Sequence, residues 1–266
     1  MTSVPDPAVR PSVRPSDRLV HRLWCSLRYY VAILPLTIWH AGLAVGGGLL
    51  RVKWRRGGIY DQTQTNWARR LLKAAGTQVT LVGYDQVPRD QPVVYVSNHQ
   101  SWFDILALAA TIPGTLRFVA KKEMASIPLL GPAMKAAGHI YIDRQNRAQA
   151  LEAYEEVAGF IRQGLNTVVF PEGTRSRTGR LLPFKKGPIV LAIAAQVPLV
   201  PIYCAGTFDI LPKGHVVLRP HPVTIRFGRP IPTAGLTYED RGALLEQTRT
   251  AVERLRAESE DAWRDV

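Results

Sequence analysis

The stretch that most constrains the fold runs from Val94 to Leu108. It begins as an apolar, β-branched run, passes through a short polar turn and ends as an apolar run with helical spacing. A strand that leads into a helix is the repeating unit of α/β folds, where ligands bind beyond the carboxyl ends of the strands. The turn carries His99 and Asp104, five residues apart. We therefore expect both side chains at a functional edge of a sheet.

The His99–Asp104 pair has two interpretations that the short motif alone does not separate. Ser101 is a suitable N-cap and Asp104 then falls at N3, so Ser-Trp-Phe-Asp resembles a capping box with Asp in place of Glu. Alternatively, a carboxylate that accepts one imidazole N–H leaves the other ring nitrogen free as a base. The two are compatible, because a residue in the first helical turn can face back toward His99.

From Thr77 onward, apolar strand-like runs alternate with helical patterns. The near-continuous apolar runs Val93–Val96 and Thr167–Phe170 are typical of strands covered on both faces. The pattern predicts an α/β domain at residues 77–266 with a mixed central sheet flanked by helices. The predicted strands are 77–82, 92–97, 116–120, 139–142, 166–170, 199–204, 215–219 and 222–227, and the predicted helices are 101–111, 129–137, 146–163, 187–195 and 237–263.

Residues 29–50 contain no Asp, Glu, Lys or Arg, and a run of 22 uncharged residues is long enough to cross a bilayer. Pro35 and Gly46–Gly48 weaken a continuous helix. Lys and Arg residues flank both ends, which resists translocation of either flank. We therefore favour a monotopic hairpin in one leaflet over a single span, with a buried core helix as the third interpretation.

Positive charge is concentrated beside this apolar segment. Residues 1–73 carry 12 of the 34 Lys and Arg residues but only 3 of the 21 Asp and Glu residues. This arrangement favours an anionic membrane over nucleic acid as the partner. Residues 1–17 are predicted to be a disordered basic arm and residues 18–76 a membrane-associated helical segment that includes a basic helix at 60–75. Cys25 and Cys204 lie too far apart in sequence to indicate a disulfide framework or a metal pattern.

Charged residues also follow two other predicted strands. Arg144 comes after strand 139–142, and it either points into a site or forms a surface ion pair with Asp143. Glu172-Gly173-Thr174-Arg175 follows a buried strand. Glycine permits close approach by a ligand, and the arginine fork matches phosphate oxygens. With Lys185 nearby, this edge is locally basic, and we predict that it binds phosphate.

Four ordered blocks resemble those of the glycerolipid acyltransferase family, and most closely the lysophosphatidic acid acyltransferases. They are Asn98–Asp104, Gly138–Arg144, Phe170–Ser176 and Val197–Pro201, within a similarity that extends from about residue 77 to 205. The resemblance implies the glycerolipid acyltransferase fold with an N-terminal helical membrane-binding motif. It also implies acyl transfer from acyl-CoA or acyl carrier protein to the sn-2 hydroxyl of 1-acyl-sn-glycerol-3-phosphate (lysophosphatidic acid), giving phosphatidic acid.

The resemblance also assigns roles by position. It implies that His99 is the general base, oriented by Asp104. Because a positioned imidazole can activate the acceptor hydroxyl and no Ser or Cys nucleophile is required, we expect direct transfer without an acyl-enzyme. Backbone N–H groups near Ser101 are the candidate oxyanion donors. The implied substrate-binding residues are Arg144, Glu172, Gly173, Thr174, Arg175 and Lys185. We expect no metal and no cofactor, and we interpret His21, His40, His139, His215 and His221 as structural or surface residues.

Two other hypotheses stay open at this point. The same chemistry can act on another acceptor, such as glycerol-3-phosphate, another lysophospholipid or a lyso-ornithine lipid. A non-catalytic protein that binds membrane or nucleic acid is the alternative from another class, and the His99–Asp104 pair disfavours it. Because a thioester donor is cytosolic, we expect the inner (cytoplasmic) membrane as the location, with the catalytic domain facing the cytoplasm. We also expect an apolar tunnel that measures the acyl chain.

Overall fold

A computed structural model describes residues 15–143 and 147–264 of the chain, with side chains at 19–143 and 154–262. Its centre is a seven-stranded sheet with the order β1-β7-β6-β2-β5-β3-β4. The pairing of β6 with β7 is antiparallel and the other pairings are parallel, so the predicted mixed sheet is confirmed. The strands are β1 (Val79–Val82), β2 (Val94–Ser97), β3 (Leu116–Lys121), β4 (Ile140–Ile142), β5 (Asn166–Val169), β6 (Leu199–Ala205) and β7 (Val223–Phe227).

Helices cover both faces of this sheet. They are α1 (Pro15–Leu49), α2 (Ile59–Ala74), α3 (Phe103–Thr111), α4 (Leu130–Ala136), α5 (Arg147–Arg162), α6 (Lys186–Ala195), α7 (Thr207–Ile210) and α8 (Arg241–Arg264), with short 3-10 turns at Tyr84–Gln86, Lys122–Ser126 and Tyr238–Asp240. The side chains of β2 show how the sheet separates two hydrophobic cores, because alternate side chains of a strand point to opposite faces. Tyr95 joins the core formed with α2 and α3, whereas Val94 and Val96 join the core formed with α5, α6 and α8.

The strand predicted at 215–219 is wrong. This segment is a loop, and it docks on α1 instead of the sheet: the Leu218 N–H donates to Ser26 Oγ at 2.9 Å, and the Tyr30 hydroxyl donates to the Val216 carbonyl at 2.8 Å. Leu218 is fully buried, whereas Val216 is 70% exposed. An apolar run is compatible with a strand, but here its backbone groups pair with a helix.

The predicted break within residues 29–50 is also wrong. Helix α1 continues through Pro35 and through Gly46–Gly48. The glycines allow close helix packing: a Cβ on Gly48 would lie 2.9 Å from the Cβ of Ala136 in α4, and one on Gly47 would lie 3.3 Å from Tyr60 Oη. The hairpin of the N-terminal segment is instead formed by two helices, α1 and α2.

Helices α1 and α2 run antiparallel. The Trp67 indole N–H donates to Thr37 Oγ1 at 3.0 Å, and the Arg28 guanidinium donates to the Lys73 carbonyl at 3.0 Å. The predicted basic arm at 1–17 lies mostly outside the described residues, which begin at Pro15 inside α1. Residues Leu19–Leu49 are long and apolar enough to cross a membrane, judged by length and composition.

One side of α1 packs on the domain and the other presents apolar side chains outward. Cys25, Tyr29, Ala41 and Ala44 are buried. The outward side is formed by exposed residues that include Leu23, Trp24, Leu27, Val31, Leu34, Ile38 and Trp39. A large exposed apolar patch of this kind marks an interaction surface.

Candidate active site

Two strand ends bring the predicted site residues to one edge of the sheet. His99 follows β2 and Glu172 follows β5, and these strands pair in parallel with Val96 opposite Val169. Parallel neighbours end at the same edge, so residues 73 positions apart in sequence become adjacent. The His99 backbone N–H donates to Glu172 Oε1 at 2.8 Å.

The His99 imidazole is held by Asp104. Nδ1 lies 2.9 Å from Asp104 Oδ2, and that oxygen also accepts the backbone N–H groups of Gln100 at 2.7 Å and Ser101 at 2.9 Å. The Asp104 carboxylate is fully buried, whereas the His99 side chain is 15% exposed. An acceptor-only carboxylate favours the tautomer with the proton on Nδ1. Nε2 then carries the lone pair, and it has no hydrogen-bond partner among the described residues.

The start of α3 lies one residue later than the predicted capping box places it. The helix begins at Phe103 with Trp102 at the N-cap position, and Trp102 makes no capping hydrogen bond. Ser101 Oγ donates to the Leu211 carbonyl at 2.7 Å, because α7 and the loop after it pack here. Both side chains of the box contact backbone N–H groups: Ser101 Oγ accepts the Phe103 N–H at 3.3 Å, and Asp104 Oδ2 accepts those of Gln100 and Ser101. The oxyanion donors expected at this helix start remain a prediction.

Glu172 occupies a different place from the predicted substrate contact. It is 3% exposed, and its second oxygen accepts the Leu182 backbone N–H at 3.0 Å. Burial raises the pKa of Glu172 to about 7, against the lowering effect of the two backbone hydrogen bonds. Its carboxylate is therefore engaged in joining the His99 loop to the loop after β5. We assign Glu172 a positioning role.

Three further contacts position the His99 loop, and the sequence interpretation missed them. The Asn98 amide pairs with the Cys204 backbone in both directions, with its Oδ1 accepting at 2.7 Å and its Nδ2 donating at 3.1 Å. The His99 carbonyl accepts the Ser176 N–H at 2.8 Å. The Phe170 ring stacks on the His99 ring with centroids 4.1 Å apart. Asn98 and Phe170 lie inside the motif blocks, so their place in those blocks was the available signal.

The His99 ring opens into a cavity of about 350 Å³. The cavity wall contains Gly173, Thr174 and Arg175, and two lysines that the sequence interpretation missed, Lys121 and Lys213. The Lys213 ammonium donates to Thr174 Oγ1 at 3.0 Å. Further in, the wall is formed mainly by apolar residues of α1, α2, α3, α4 and β3. The cavity therefore joins a cationic mouth to an apolar interior.

The other predicted binding residues differ in their placement. Gly173 has φ of +72°, a left-handed conformation that suits glycine, and a Cβ there would lie 3.2 Å from Lys185 Cε. Lys185 thus borders Gly173 but does not line the cavity. Arg144 lies outside the described residues.

His139 also lines the cavity, as a buried neutral group. Its Nδ1 accepts the Phe118 backbone N–H at 3.1 Å. Burial, and then the charge of Arg117, lowers the pKa of His139 to about 3. The geometry agrees with the predicted structural role of this residue.

Comparisons with known proteins agree with this architecture. Residues 78–205 match the family model described as Acyltransferase. The chain is 37% identical over 180 residues to a 1-acyl-sn-glycerol-3-phosphate acyltransferase of Cocos nucifera, covering 67% of this chain and 57% of the relative. It is 39% identical over 175 residues to the human 1-acyl-sn-glycerol-3-phosphate acyltransferase alpha, covering 65% and 62%. The matches thus span less than two thirds of the length of these curated relatives.

A solved structure extends the similarity beyond the matched domain. The crystal structure of the 1-acyl-sn-glycerophosphate (LPA) acyltransferase PlsC of Thermotoga maritima is similar with a TM-score of 0.73 and 26% identity. The match covers 90% of this chain and 98% of that one. The similarity therefore includes the N-terminal helices as well as the sheet. Residues 78–205 of the chain thus form a domain of the Acyltransferase family.

Proposed function

We propose that this protein transfers an acyl chain from a thioester to the sn-2 hydroxyl of 1-acyl-sn-glycerol-3-phosphate, giving phosphatidic acid. The observation that carries the proposal is the His99 imidazole, fixed at Nδ1 by Asp104 and open at Nε2 to a cavity with a cationic mouth. A base beside basic side chains and an apolar cavity suits an acceptor with a hydroxyl, a phosphate and lipid chains.

The reaction follows from this geometry. Nε2 takes the proton of the sn-2 hydroxyl while the oxygen attacks the thioester carbonyl carbon. Asp104 stabilises the imidazolium that forms. The tetrahedral intermediate collapses, the C–S bond breaks, and the imidazolium returns the proton to the departing thiolate. The products are the ester and a free thiol, with His99 regenerated.

Direct transfer is supported by the state of the nearest thiol. Cys204 is fully buried, and burial followed by the charge of Asp104 raises the pKa of its thiol. A protonated buried thiol is a poor nucleophile. His99 therefore acts on the acceptor hydroxyl itself, and a protein-bound acyl group is not needed.

Cations at the mouth of the cavity suit the acceptor phosphate. Arg175 offers a planar fork and Lys213 a point charge, and both line the cavity wall. Lys121 also lines the wall, with its ammonium paired to Glu123 at 2.7 Å. The apolar interior beyond them suits an acyl chain. Thr174 holds the Lys213 ammonium, which directs that charge toward the mouth.

The outward face of α1 suits a membrane surface. Its exposed apolar residues run along the helix, parallel to the packed face, so burying them in a lipid interface leaves the domain on one side. The basic residues of α2 and the loop before it add attraction to anionic lipids. We place the protein on the cytoplasmic face of the inner membrane, where thioester donors are available.

The test is a donor and acceptor matrix on purified protein in detergent. The donors are acyl-CoA and acyl-acyl carrier protein, and the acceptors are lysophosphatidic acid, glycerol-3-phosphate and lyso-ornithine lipid. We expect thiol release with lysophosphatidic acid, no release by His99→Ala, and normal release by the control His215→Ala, whose side chain is exposed on a loop. Absence of release with every pair would refute acyl transfer, and release with another acceptor alone would change the assigned substrate.

A further inference from the structure

The apolar cavity contains two buried polar side chains without complete hydrogen bonding. His40 of α1 is 6% exposed, and neither of its ring nitrogens has a partner within the described residues. Gln64 of α2 donates from Nε2 to the Leu116 carbonyl at 3.2 Å, but its buried Oε1 has no partner there. Both residues line the cavity.

The antiparallel packing of α1 and α2 brings these two side chains to the same level. Thr37 and Trp67 are joined by a hydrogen bond. His40 follows Thr37 by three residues and Gln64 precedes Trp67 by three, so both lie one helical turn from that contact in the same direction. Ala41 and Ala44 of α1 also line the cavity and carry no polar group. His40 and Gln64 therefore form a polar band in a mainly apolar wall.

The imidazole is neutral at this level. Burial, and then the charge of Arg70, lowers the pKa of His40 from its ordinary value. A neutral imidazole offers one N–H donor and one acceptor, and the amide oxygen of Gln64 offers a second acceptor. Together they match an oxygen that both accepts and donates a hydrogen bond, which is a hydroxyl group.

We propose that His40 and Gln64 form a subsite for a hydroxyl group carried part-way along the acyl chain. The proposal rests on the proposed function, because it assumes that the cavity holds an acyl chain. Buried polar groups are costly when unpaired, so an unsubstituted chain leaves both residues unsatisfied while a hydroxylated chain satisfies them. The protein would therefore prefer hydroxylated chains, with the preferred carbon set by the depth of His40.

The test compares acyl thioesters of equal length, one unsubstituted and the others with a hydroxyl moved one carbon at a time. For one position or two adjacent positions, we expect kcat/KM to exceed that of the unsubstituted chain by roughly tenfold or more. His40→Leu and Gln64→Met should remove this preference and raise kcat/KM for the unsubstituted chain. His215→Leu is the matched control and should keep the preference.

A binding measurement separates this proposal from catalysis. Calorimetric titration with a free hydroxylated fatty acid, compared with its unsubstituted counterpart, should show the same preference in wild-type protein. If unsubstituted chains are transferred and no hydroxylated chain is preferred in either measurement, the subsite proposal is overturned and a buried water satisfies the two residues. If no chain is transferred at all, the proposed function fails and the subsite proposal falls with it.

Discussion

The backbone N–H of His99 donates to the side chain of Glu172, and this 2.8 Å hydrogen bond joins the loops that follow β2 and β5. The same carboxylate accepts the Leu182 N–H, so it also ties together two parts of the loop after β5. Because Glu172 is buried and both its oxygens accept backbone N–H groups, its carboxylate holds the His99 backbone in place. The two motif blocks are thus parts of one scaffold.

The buried carboxyl of Glu172 predicts a pH-dependent stability. Its pKa in the folded protein, about 7, lies above the ordinary 4.5, so the unfolded chain ionises more readily. The free energy of unfolding should therefore fall as pH rises from about 4.5 to about 7, by on the order of 3 kcal/mol from this group, and then level off. Glu172→Gln should lack this contribution in urea unfolding at a series of pH values. Glu239→Gln, at an exposed site, should keep the wild-type slope; equal slopes in both variants would contradict the assignment.

Asp104→Asn should remove catalysis with little effect on lipid binding. The amide is uncharged, so its oxygen is a weaker acceptor for the three N–H groups that Oδ2 accepts, and it no longer stabilises an imidazolium at His99. We expect kcat to fall roughly 10²- to 10⁴-fold with KM nearly unchanged. Single-turnover thiol release gives the measurement, and Asp85→Asn, at an exposed position, serves as the control. A decrease confined to KM would argue against the orienting role.

Arg175→Gln should weaken the binding of the acceptor more than that of the thioester donor. The loss of a charge-assisted contact to phosphate costs about 1.5 to 3 kcal/mol, which predicts a roughly 10- to 100-fold rise in KM for lysophosphatidic acid. Arg177→Gln removes the same charge two residues away on an exposed side chain and should leave KM within about twofold. Equal effects of the two substitutions would show that general charge, and not the position at the cavity mouth, matters.

Gly48→Leu should separate α1 from α4. A Cβ at this position already approaches Ala136 Cβ to 2.9 Å, so a larger side chain forces the helices apart at a cost of about 1 to 3 kcal/mol in unfolding free energy. The matched control is Gly42→Leu in the same helix, where a Cβ meets nothing within 4 Å. That substitution should be neutral or stabilising, because leucine is the better helix former. Thermal unfolding in detergent measures both, and equal losses would exclude close packing as the reason for glycine at 48.

The outward face of α1 should control membrane binding. Val31 and Leu34 are 65% and 67% exposed, and the double change to Asp places two charges at the proposed lipid interface. We expect co-sedimentation with vesicles containing phosphatidylglycerol to fall at least about tenfold, while activity on detergent-dispersed substrate is retained. Ala257→Asp on α8 is the control. Unchanged sedimentation of the double variant would place the membrane contact elsewhere.

Much of the architecture, and the contact between His99 and Asp104, could be predicted from the amino-acid sequence. The alternation of strand and helix patterns after Thr77 predicted an α/β domain, because hydrophobic period and turn residues are local properties. The spacing of His99 and Asp104 across a strand-to-helix turn predicted their contact for the same reason. The family resemblance carried by the four blocks agrees with the comparisons.

Contacts between distant segments could not be predicted from local sequence patterns. Gly46–Gly48 suggested a helix break, but packing against α2 and α4 makes the same glycines the close-contact face of one long helix. Glu172 suggested a ligand contact, but burial between two loops engages both its oxygens. His40 suggested a surface or structural residue, yet the antiparallel pairing of α1 with α2 places it beside the cavity with no hydrogen-bond partner among the residues that the structure describes. In each case the residue type was visible in the sequence, whereas its partner depended on which segment the fold brought beside it.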